Sequence, residues 1–410
     1  MKIEKFIKKK ALPSFCTSNI DVLNTVIFFC KNNNLPCLIE STSNQVNQDG
    51  GYSGKTPKQF VNEINKIAKK HNFKKNKLFL GGDHLGPLPW RNNKSKIAIK
   101  NSIQLINKCL TANYSKIHID TSIKCFDDRM IDQNIVFDRT AYILKKSKLK
   151  KNLKKVFLVI GTEVPLSGSN DKDKIKITSI SQIDEEIKKF RKLLNFFQKK
   201  IINFGLVIEP GMRYLHHRIT VPKLSQFKNK ITISKNRKFV YEAHSTDYQS
   251  TNVLKKLVKN NFKFLKVGPE LTYSFARSLL FMQKIEKKMF NKNLSNVENI
   301  ILKFMLKNNK YWKGYYYGKK NKLRKLILNS KLDRMRYYLN NKPILKSIKV
   351  LEKNVDSLDK RKLIKYFNLA EDKKIFNNLQ LKKMSNFNLI NFIFISKSLN
   401  KYYTACGYRV

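Results

Sequence analysis

The residues best suited to chemistry are an acid and an imidazole side by side, Asp83 and His84. They follow a short apolar run, residues 78–80, and two glycines, Gly81 and Gly82. The glycines allow a sharp turn and a close approach of the backbone to a ligand. The Asp-His pair supplies a proton-transfer group beside a potential metal ligand. An ordinary turn at a strand end has the same residue types, so similar groups elsewhere in the chain decide between the two interpretations.

Two further histidines, His216 and His244, lie at or near other predicted strand ends. Together with His84 they predict a site for a divalent metal such as zinc, with a position left open for substrate. Such a metal would polarise a ketone and stabilise the enediolate formed when a carbon–carbon bond breaks. Asp83 would move the proton of the departing hydroxyl, and Glu163 is a second candidate acid or base. In the alternative interpretation, the histidines only hydrogen-bond loops in the mouth of a barrel.

Two other histidines are interpreted differently. His118 alternates with apolar residues in the stretch 116–120, which predicts a structural histidine that faces into a barrel. His71 follows a helix-like stretch and is predicted to be a surface residue that closes the helix.

Eight short apolar runs are predicted to be strands, with helix-like stretches such as 56–70, 184–199 and 251–259 between most of them. The predicted strands cover residues 11–17, 36–41, 77–82, 116–121, 156–164, 204–210, 239–245 and 262–268. This repeated order indicates a parallel sheet, and eight units suit a closed (β/α)8 TIM barrel over residues 1–280. Active sites of such barrels lie at the C-terminal strand ends, so the polar residues that gather there should converge.

The strand–helix alternation fades after residue 280. Residues 281–410 are rich in Lys, Asn and aromatic residues, with clusters of tyrosines at 311–317 and 333–338. We expect a mainly helical extension that packs on the barrel, with the aromatic side chains used for packing or for a subunit interface.

The chain has a formal net charge of +55, which would normally suggest a nucleic acid or membrane partner. The lysines are spread along the whole chain, and they accompany abundant Asn, Ile, Phe and Tyr, all served by A/T-rich codons. Genome composition explains this pattern better than a binding face does. No sequence signature of a nucleic-acid-binding fold is present, so we expect no nucleic-acid partner.

Other common classes of site are also disfavoured. The glycine-rich stretch 49–56 has Asp49 where a phosphate-binding loop needs glycine, and no kinase signature occurs. The six cysteines form no Cys-x-x-Cys pair, which is typical of reduced thiols. The first residues are too charged for a signal peptide, and no apolar run is long enough to span a bilayer. We therefore expect a cytoplasmic protein.

Several long motifs together resemble the non-catalytic (Z) subunit family of D-tagatose-1,6-bisphosphate aldolase. The resemblance runs from about residue 11 into the C-terminal region, and its motifs are in the family's order. They are IESTSNQVNQ at 39–48, LGGDHLGP at 80–87, KIHID at 116–120, VIGTEVP at 159–165, YEAHSTDYQ at 241–249, LKVGP at 265–269 and DRMRYY at 333–338.

The resemblance implies a barrel distantly similar to class II, zinc-dependent ketose-bisphosphate aldolases, with Asp83, His84, His216 and His244 similar to their Asp-His motif and two later histidines. It also implies a supporting role, in which the chain associates with a catalytic Y subunit that cleaves tagatose 1,6-bisphosphate. That reaction belongs to the catabolism of tagatose, galactitol and amino sugars. The alternative is an independent metal-dependent aldolase or 4-epimerase that acts on a ketose or ketose phosphate by retro-aldol chemistry.

Overall fold

The structure, a computed structural model, describes residues 3–161, 177–197, 204–224, 239–376, 378, 381 and 383–410. Eight parallel strands form a closed barrel, and two short strands form a separate antiparallel pair. In chain order the strands are β1 (Leu12–Cys16), β2 (Cys37–Thr42), β3 (Leu78–Leu85), β4 (Lys116–Ile119), β5 (Phe157–Ile160), β6 (Phe204–Ile208), β7 (Arg213–Tyr214), β8 (Ile219–Thr220), β9 (Phe239–Ala243) and β10 (Phe262–Val267). The predicted TIM barrel is confirmed, and all eight predicted strands are present.

The barrel closes through the first and last strands of the sequence. Around the barrel the order is β1, β10, β9, β6, β5, β4, β3 and β2. Phe15 of β1 pairs with Val267 of β10 on one side and with Ile39 of β2 on the other. Because every strand is parallel to its neighbours, the C-terminal ends of all eight strands lie at the same mouth of the barrel.

Helices surround the barrel and continue beyond it. Those that start within residues 1–280 are Glu4–Ile7, Ile20–Asn32, Pro57–Lys70, Ser95–Thr111, Gln133–Lys146, Leu149–Asn152, Ile180–Phe197, Thr251–Lys259 and Pro269–Met289. Those of the C-terminal part are Val297–Lys307, Lys320–Asn329, Lys342–Asp356, Lys360–Ile364, Ala370–Phe376 and Asn386–Ala405. Short 3-10 helices cover Gly51–Ser53, Lys75–Lys77, Leu88–Trp90 and Arg334–Tyr337. In the described part of the chain, no helix is both long and apolar enough to cross a membrane.

The barrel interior changes from apolar at the bottom to charged at the mouth. At the N-terminal strand ends, a separate apolar cluster includes Leu12, Phe157 and Phe264. Ile3 and Ile7, at the start and end of the first helical turn, join this cluster and close the bottom of the barrel. Nearer the mouth the inward positions carry acids, lysines and histidines, which costs desolvation energy unless the charges are paired.

The last helix of the C-terminal part packs against helices that surround the barrel. This helix, Asn386–Ala405, is buried on most sides and contacts the helices Ile20–Asn32, Thr251–Lys259 and Pro269–Met289. The helix Pro269–Met289 crosses residue 280 without a break, and the proposed division of the chain there stays a prediction.

Several element bounds differ from those expected. Strand β3 continues to Leu85, three residues past the predicted end, so Asp83 and His84 lie within the strand. The hairpin of β7 and β8 was not predicted. The predicted strand 156–164 and helix 184–199 each end outside the described residues.

Candidate functional site

A β-bulge in β3 turns the Asp-His pair toward the barrel mouth. Side chains of adjacent residues in a regular strand point to opposite faces. The register of β3 against β4 shifts between Gly82 and Leu85, and His84 adopts a left-handed backbone conformation with φ +48°. Both side chains therefore line one cavity, and Nδ1 of His84 lies 2.8 Å from Oδ2 of Asp83. Bulges of this kind commonly re-aim side chains next to active sites.

Three imidazoles meet at the barrel mouth. The rings of His84, His118 and His244 have centroid separations of 4.8, 5.1 and 5.2 Å, with interplanar angles of 64–79°. They come from three different strands or strand ends: β3, β4 and the residue that follows β9. Together with Asp83 they present ligand atoms that all lie within 4.8 Å of one another.

A carboxylate orients each ring through one nitrogen. The Nδ1 atoms of His84 and His118 lie 2.8 Å from the two oxygens of Asp83, and Nε2 of His244 lies 3.0 Å from Oε1 of Glu242. The other nitrogen of His118, Nε2, is buried and has no hydrogen-bond partner among the described residues. A carboxylate on one imidazole nitrogen fixes the ring and raises the basicity of the other, as is common around metal ions.

The described cluster fits a divalent metal ion by its spacing as well as by its chemistry. An ion about 2.1 Å from one nitrogen of each ring, at about tetrahedral angles, needs ring centroids roughly 5 Å apart. The observed separations of 4.8–5.2 Å meet this requirement. The unpartnered Nε2 of His118 is the kind of buried polar atom that a bound ion would satisfy.

Below the imidazoles lies a buried network of charges. Lys116, which is 0% exposed, places Nζ 2.7 Å from Oε1 of Glu40 and 2.6 Å from Oε2 of Glu242. Lys266 pairs with Glu40 as well, and its Nζ lies 2.8 Å from Oδ1 of Asp83. The two lysines thus compensate the three carboxylates that hold the imidazoles and line the upper barrel.

The network holds Asp83 and Glu242 ionised. Burial would raise the pKa of Asp83, but the imidazoles of His84 and His118 hold that pKa well below its usual range. Burial would also raise the pKa of Glu242, but Lys116 and His244 lower that pKa to about 2. For His84, burial lowers the pKa and Asp83 raises it more, to about 9. Burial lowers the pKa of Lys266 to about 8.

A cavity opens above the cluster and reaches the C-terminal extension. Its inner wall includes Asp83, His84, His244 and Lys266, and Asp120 and Asp247 approach from the loops after β4 and β9. Its outer wall includes Tyr52, Arg336 and Tyr337. The cavity therefore offers carboxylates and imidazoles at one end and a guanidinium among aromatic rings at the other.

The structure brings together two of the three histidines that the sequence suggested as ligands. His84 and His244 belong to the cluster, but His216 does not belong to it. Nδ1 of His216 lies 2.8 Å from Oγ of Ser330, and its ring packs 5.5 Å from that of Tyr316. His216 therefore contacts the C-terminal extension.

Other predicted and missed residues complete this comparison. Glu163 lies outside the described residues. His118 was expected to be structural, yet it occupies the third position of the cluster. A signal was present in the sequence: Lys116 and His118 alternate with Ile117 and Ile119, which places both on the inner face of β4, with His118 nearer the mouth.

Comparisons with known proteins agree over nearly the whole chain. A family model described as D-tagatose-1,6-bisphosphate aldolase subunit GatZ/KbaZ-like matches residues 1–407. The D-tagatose-1,6-bisphosphate aldolase subunit GatZ of Escherichia coli O1:K1 / APEC is 33% identical over 361 residues, which cover 84% of this chain and 85% of that protein. The subunit GatZ of Escherichia coli O139:H28 (strain E24377A / ETEC) is 32% identical over the same shares of each chain.

Solved structures show the same fold. A probable tagatose 6 phosphate kinase from Sinorhizobium meliloti 1021 superimposes with a TM-score of 0.84 at 25% identity, covering 97% of this chain and 100% of that one. The fructuronate-tagaturonate epimerase UxaE from Cohnella laeviribosi has a TM-score of 0.51 at 10% identity, covers 98% and 82% of the two chains, and shows the fold alone. On the whole-length family match and the identity to its members, the chain belongs to the GatZ/KbaZ-like family of D-tagatose-1,6-bisphosphate aldolase subunits.

Proposed function

We propose that this chain is the supporting Z subunit of a tagatose-1,6-bisphosphate aldolase, in the breakdown of tagatose, galactitol or amino sugars. In this role it binds a catalytic Y subunit, raises the activity of that subunit and stabilises it. The observation that carries the proposal is the match of the family model to residues 1–407, together with relatives named as a subunit of this aldolase. We also propose a cytoplasmic location, where sugar phosphates are metabolised.

The test is to mix the purified chain with a Y subunit from the same organism. Cleavage of tagatose 1,6-bisphosphate and the melting temperature of the Y subunit are measured with and without this chain, and complex formation is followed by gel filtration. The expected result is co-elution, a higher rate and a higher melting temperature. Absence of all three changes would overturn the proposal.

We further propose that His84, His118 and His244 hold one divalent ion, with zinc preferred. Three imidazole nitrogens are a donor set that suits zinc better than magnesium or calcium, which prefer oxygen ligands. The spacing of the rings and the unpartnered Nε2 of His118 support this set. An ion held there would act as a Lewis acid on the carbonyl of a ketose.

The surrounding side chains would prepare the site for such a ligand. Asp83 and Glu242 hold the three rings in position, and Lys266 compensates part of their charge. Asp83 also lines the cavity, so its free electron pairs would be within reach of a hydroxyl proton on a bound sugar. We keep Asp83 as the proposed proton-transfer group, and Glu163 as a second candidate.

The supporting role and an independent enzyme give different results with one variant. His84→Ala removes a ring of the cluster and changes little of the outer surface, since the side chain is only 20% exposed. A pure scaffold carrying this substitution would still activate the Y subunit. If the chain alone cleaves or epimerises a ketose, and His84→Ala abolishes that reaction, the independent enzyme replaces the supporting role.

A further inference from the structure

Arg336 brings a positive charge from the C-terminal extension to the outer wall of the cavity. It lies in the 3-10 helix Arg334–Tyr337, whose last residue packs edge-on against Tyr52 with ring centroids 4.7 Å apart. Tyr52 belongs to the segment between β2 and the helix Pro57–Lys70. Residues of the barrel and of the C-terminal extension thus line the same cavity.

The guanidinium of Arg336 is held in place by neutral groups. Its Nη1 donates to the carbonyl oxygens of Leu332 at 2.6 Å and Asp333 at 2.8 Å, and its Nη2 donates to the hydroxyl of Tyr337 at 3.0 Å. Within the described residues, no carboxylate lies close enough to form an ion pair with it. A guanidinium has five N–H donors, so Nε–H and one N–H of Nη2 keep their capacity for a ligand.

We propose that Arg336 binds the anionic group, phosphate or carboxylate, of a small polyhydroxylated ligand whose other end lies at the imidazole cluster. A planar guanidinium pairs with either oxyanion through two parallel hydrogen bonds. Because its carbonyl and hydroxyl contacts already fix its orientation, little side-chain entropy is lost on binding. The carboxylate of Asp333 acts on the charge only from beyond ion-pair distance and accepts a hydrogen bond from Thr272, so the free N–H groups of the guanidinium remain for the ligand.

The usual anion position of a barrel is occupied here by a protein carboxylate. In many TIM barrels a phosphate binds to backbone amides after the seventh and eighth strands. Two of these amides, Gly268 N and Glu270 N after the eighth barrel strand, β10, each donate to Oδ1 of Asp247 at 2.9 Å. Lys266 is no substitute, since it pairs with Glu40 and Asp83. Among the described residues that line the cavity, Arg336 is therefore the cation best placed for an external anion.

The experiment measures equilibrium binding by titration calorimetry on the full chain alone. Three probes separate the possible anions: D-tagatose 1,6-bisphosphate, D-tagaturonate, which ends in a carboxylate, and neutral D-tagatose. The variant is Arg336→Gln, and its matched control is Arg324→Gln, an arginine outside the cavity whose side chain is 54% exposed. The choice of sugars rests on the proposed function.

We expect the wild type to bind at least one anionic sugar more tightly than D-tagatose. Arg336→Gln should weaken the binding of the anionic sugar by at least about tenfold and leave the affinity for D-tagatose unchanged. Arg324→Gln should bind all three sugars as the wild type does. The tighter of the two anionic probes identifies phosphate or carboxylate as the group. Equal binding of anionic and neutral sugars, or an anionic affinity that survives Arg336→Gln, overturns the inference.

A second variant covers the case in which Arg336→Gln does not fold. Arg336→Lys keeps the charge but loses the planar fork, so we expect a several-fold loss of anionic affinity. Wild-type affinity in this variant would also overturn the inference. If the chain binds none of the sugars but still activates the Y subunit, only this inference is rejected. If the chain binds an anionic sugar through Arg336 but does not activate the Y subunit, only the proposed function is rejected.

Discussion

His118 of β4 and Asp83 of the neighbouring strand β3 meet at the barrel mouth, with Nδ1 of His118 2.8 Å from Oδ1 of Asp83. This pairing leaves the buried Nε2 of His118 directed to no protein partner among the described residues. It makes His118, and not His216, the third imidazole beside His84 and His244.

We therefore predict that His118→Ala lowers zinc affinity by more than about 100-fold, because it removes one of three nitrogen ligands. His84→Ala and His244→Ala should behave alike. The measurement is a competition titration with a chromophoric chelator on protein purified without an affinity tag. His216→Ala is the matched control and should bind zinc as the wild type does; zinc loss in this variant with retention in His118→Ala would contradict the assignment.

The carboxylate of Asp83 should matter for the metal even before any reaction. Asp83→Asn keeps the size of the side chain, but an amide presents only one acceptor oxygen to the two imidazoles and the ammonium that surround it. Losing the orientation of two ligands should lower zinc affinity about 10–100-fold. If Asp83 also transfers a proton, turnover of any ketose at saturating zinc should fall about 10²–10⁴-fold. Turnover that survives in Asp83→Asn would leave Asp83 with the orienting role alone.

Gly86 lies directly against the backbone of Asp120. A Cβ atom built on Gly86 would stand 1.6 Å from the carbonyl oxygen of Asp120, far inside contact distance. We predict that Gly86→Ala lowers the free energy of unfolding by about 2–4 kcal/mol, measured by urea denaturation. Gly54→Ala is the control: its Cβ would meet no atom within 4 Å, so only its φ of +73° is strained, at about 1 kcal/mol. Equal losses in the two variants would contradict the steric explanation.

Lys116 stabilises two buried carboxylates at once. Lys116→Met removes the ammonium between Glu40 and Glu242 and leaves both acids without their shared partner. Breaking a buried ion pair by removing one partner costs about 3–5 kcal/mol, and we expect a loss of unfolding free energy in this range. The exposed Lys58, changed to Met, is the control and should alter stability by less than about 0.5 kcal/mol. If Lys116→Met is as stable as the Lys58→Met control, the ammonium of Lys116 does not stabilise the two buried carboxylates.

His71 should make stability depend on pH below neutrality. It closes the helix Pro57–Lys70, and Nε2 lies 2.8 Å from Oδ1 of Asn24. Burial and the nearby Lys70 and Lys31 lower the pKa of His71 from 6.5 to about 4. Between pH 6.5 and about 4, His71 is protonated in the unfolded chain but neutral in the folded chain. The stabilisation is thus present above pH 6.5 and is lost as pH falls toward 4.

The half-buried position of His71 weakens the effect by solvent screening, so we expect about 1–2 kcal/mol. The measurement is urea unfolding at pH 7 and at pH 4.5. His71→Gln keeps a hydrogen bond to Asn24 and does not titrate, so the wild type should lose about 1–2 kcal/mol more than this variant. Identical pH dependence in the two proteins would mean that His71 protonates freely in the folded state.

The barrel could be predicted because its evidence is local. Each strand is a short apolar run with a polar residue at or just after its C-terminal end, as Glu242 shows in β9 and Lys266 in β10. The inward position of His118 was also readable from its alternation with isoleucines, although its role beside His84 was not. That role depends on how three strand ends meet, which no single stretch encodes.

The remainder of the site depends on contacts far apart in sequence. The left-handed conformation of His84 follows from the bulge against β4, which sequence periodicity cannot reveal. His216 does not join the cluster and instead contacts Ser330, 114 residues later in the chain. Arg336 reaches the cavity because the extension folds back over the mouth, and its charge alone gave no hint of that position.

The last helix also has a consequence for biosynthesis. The hydroxyl of Tyr403 donates to the carbonyl of Pro36 at 2.7 Å, and Ala11 N donates to Cys406 O at 3.1 Å, so the end of the chain packs against the beginning of the barrel. A nascent chain that emerges from the ribosome has its first two strands long before this helix exists. The surface of these strands that the helix covers must therefore stay exposed, or be shielded by chaperones, until the helix has been synthesised.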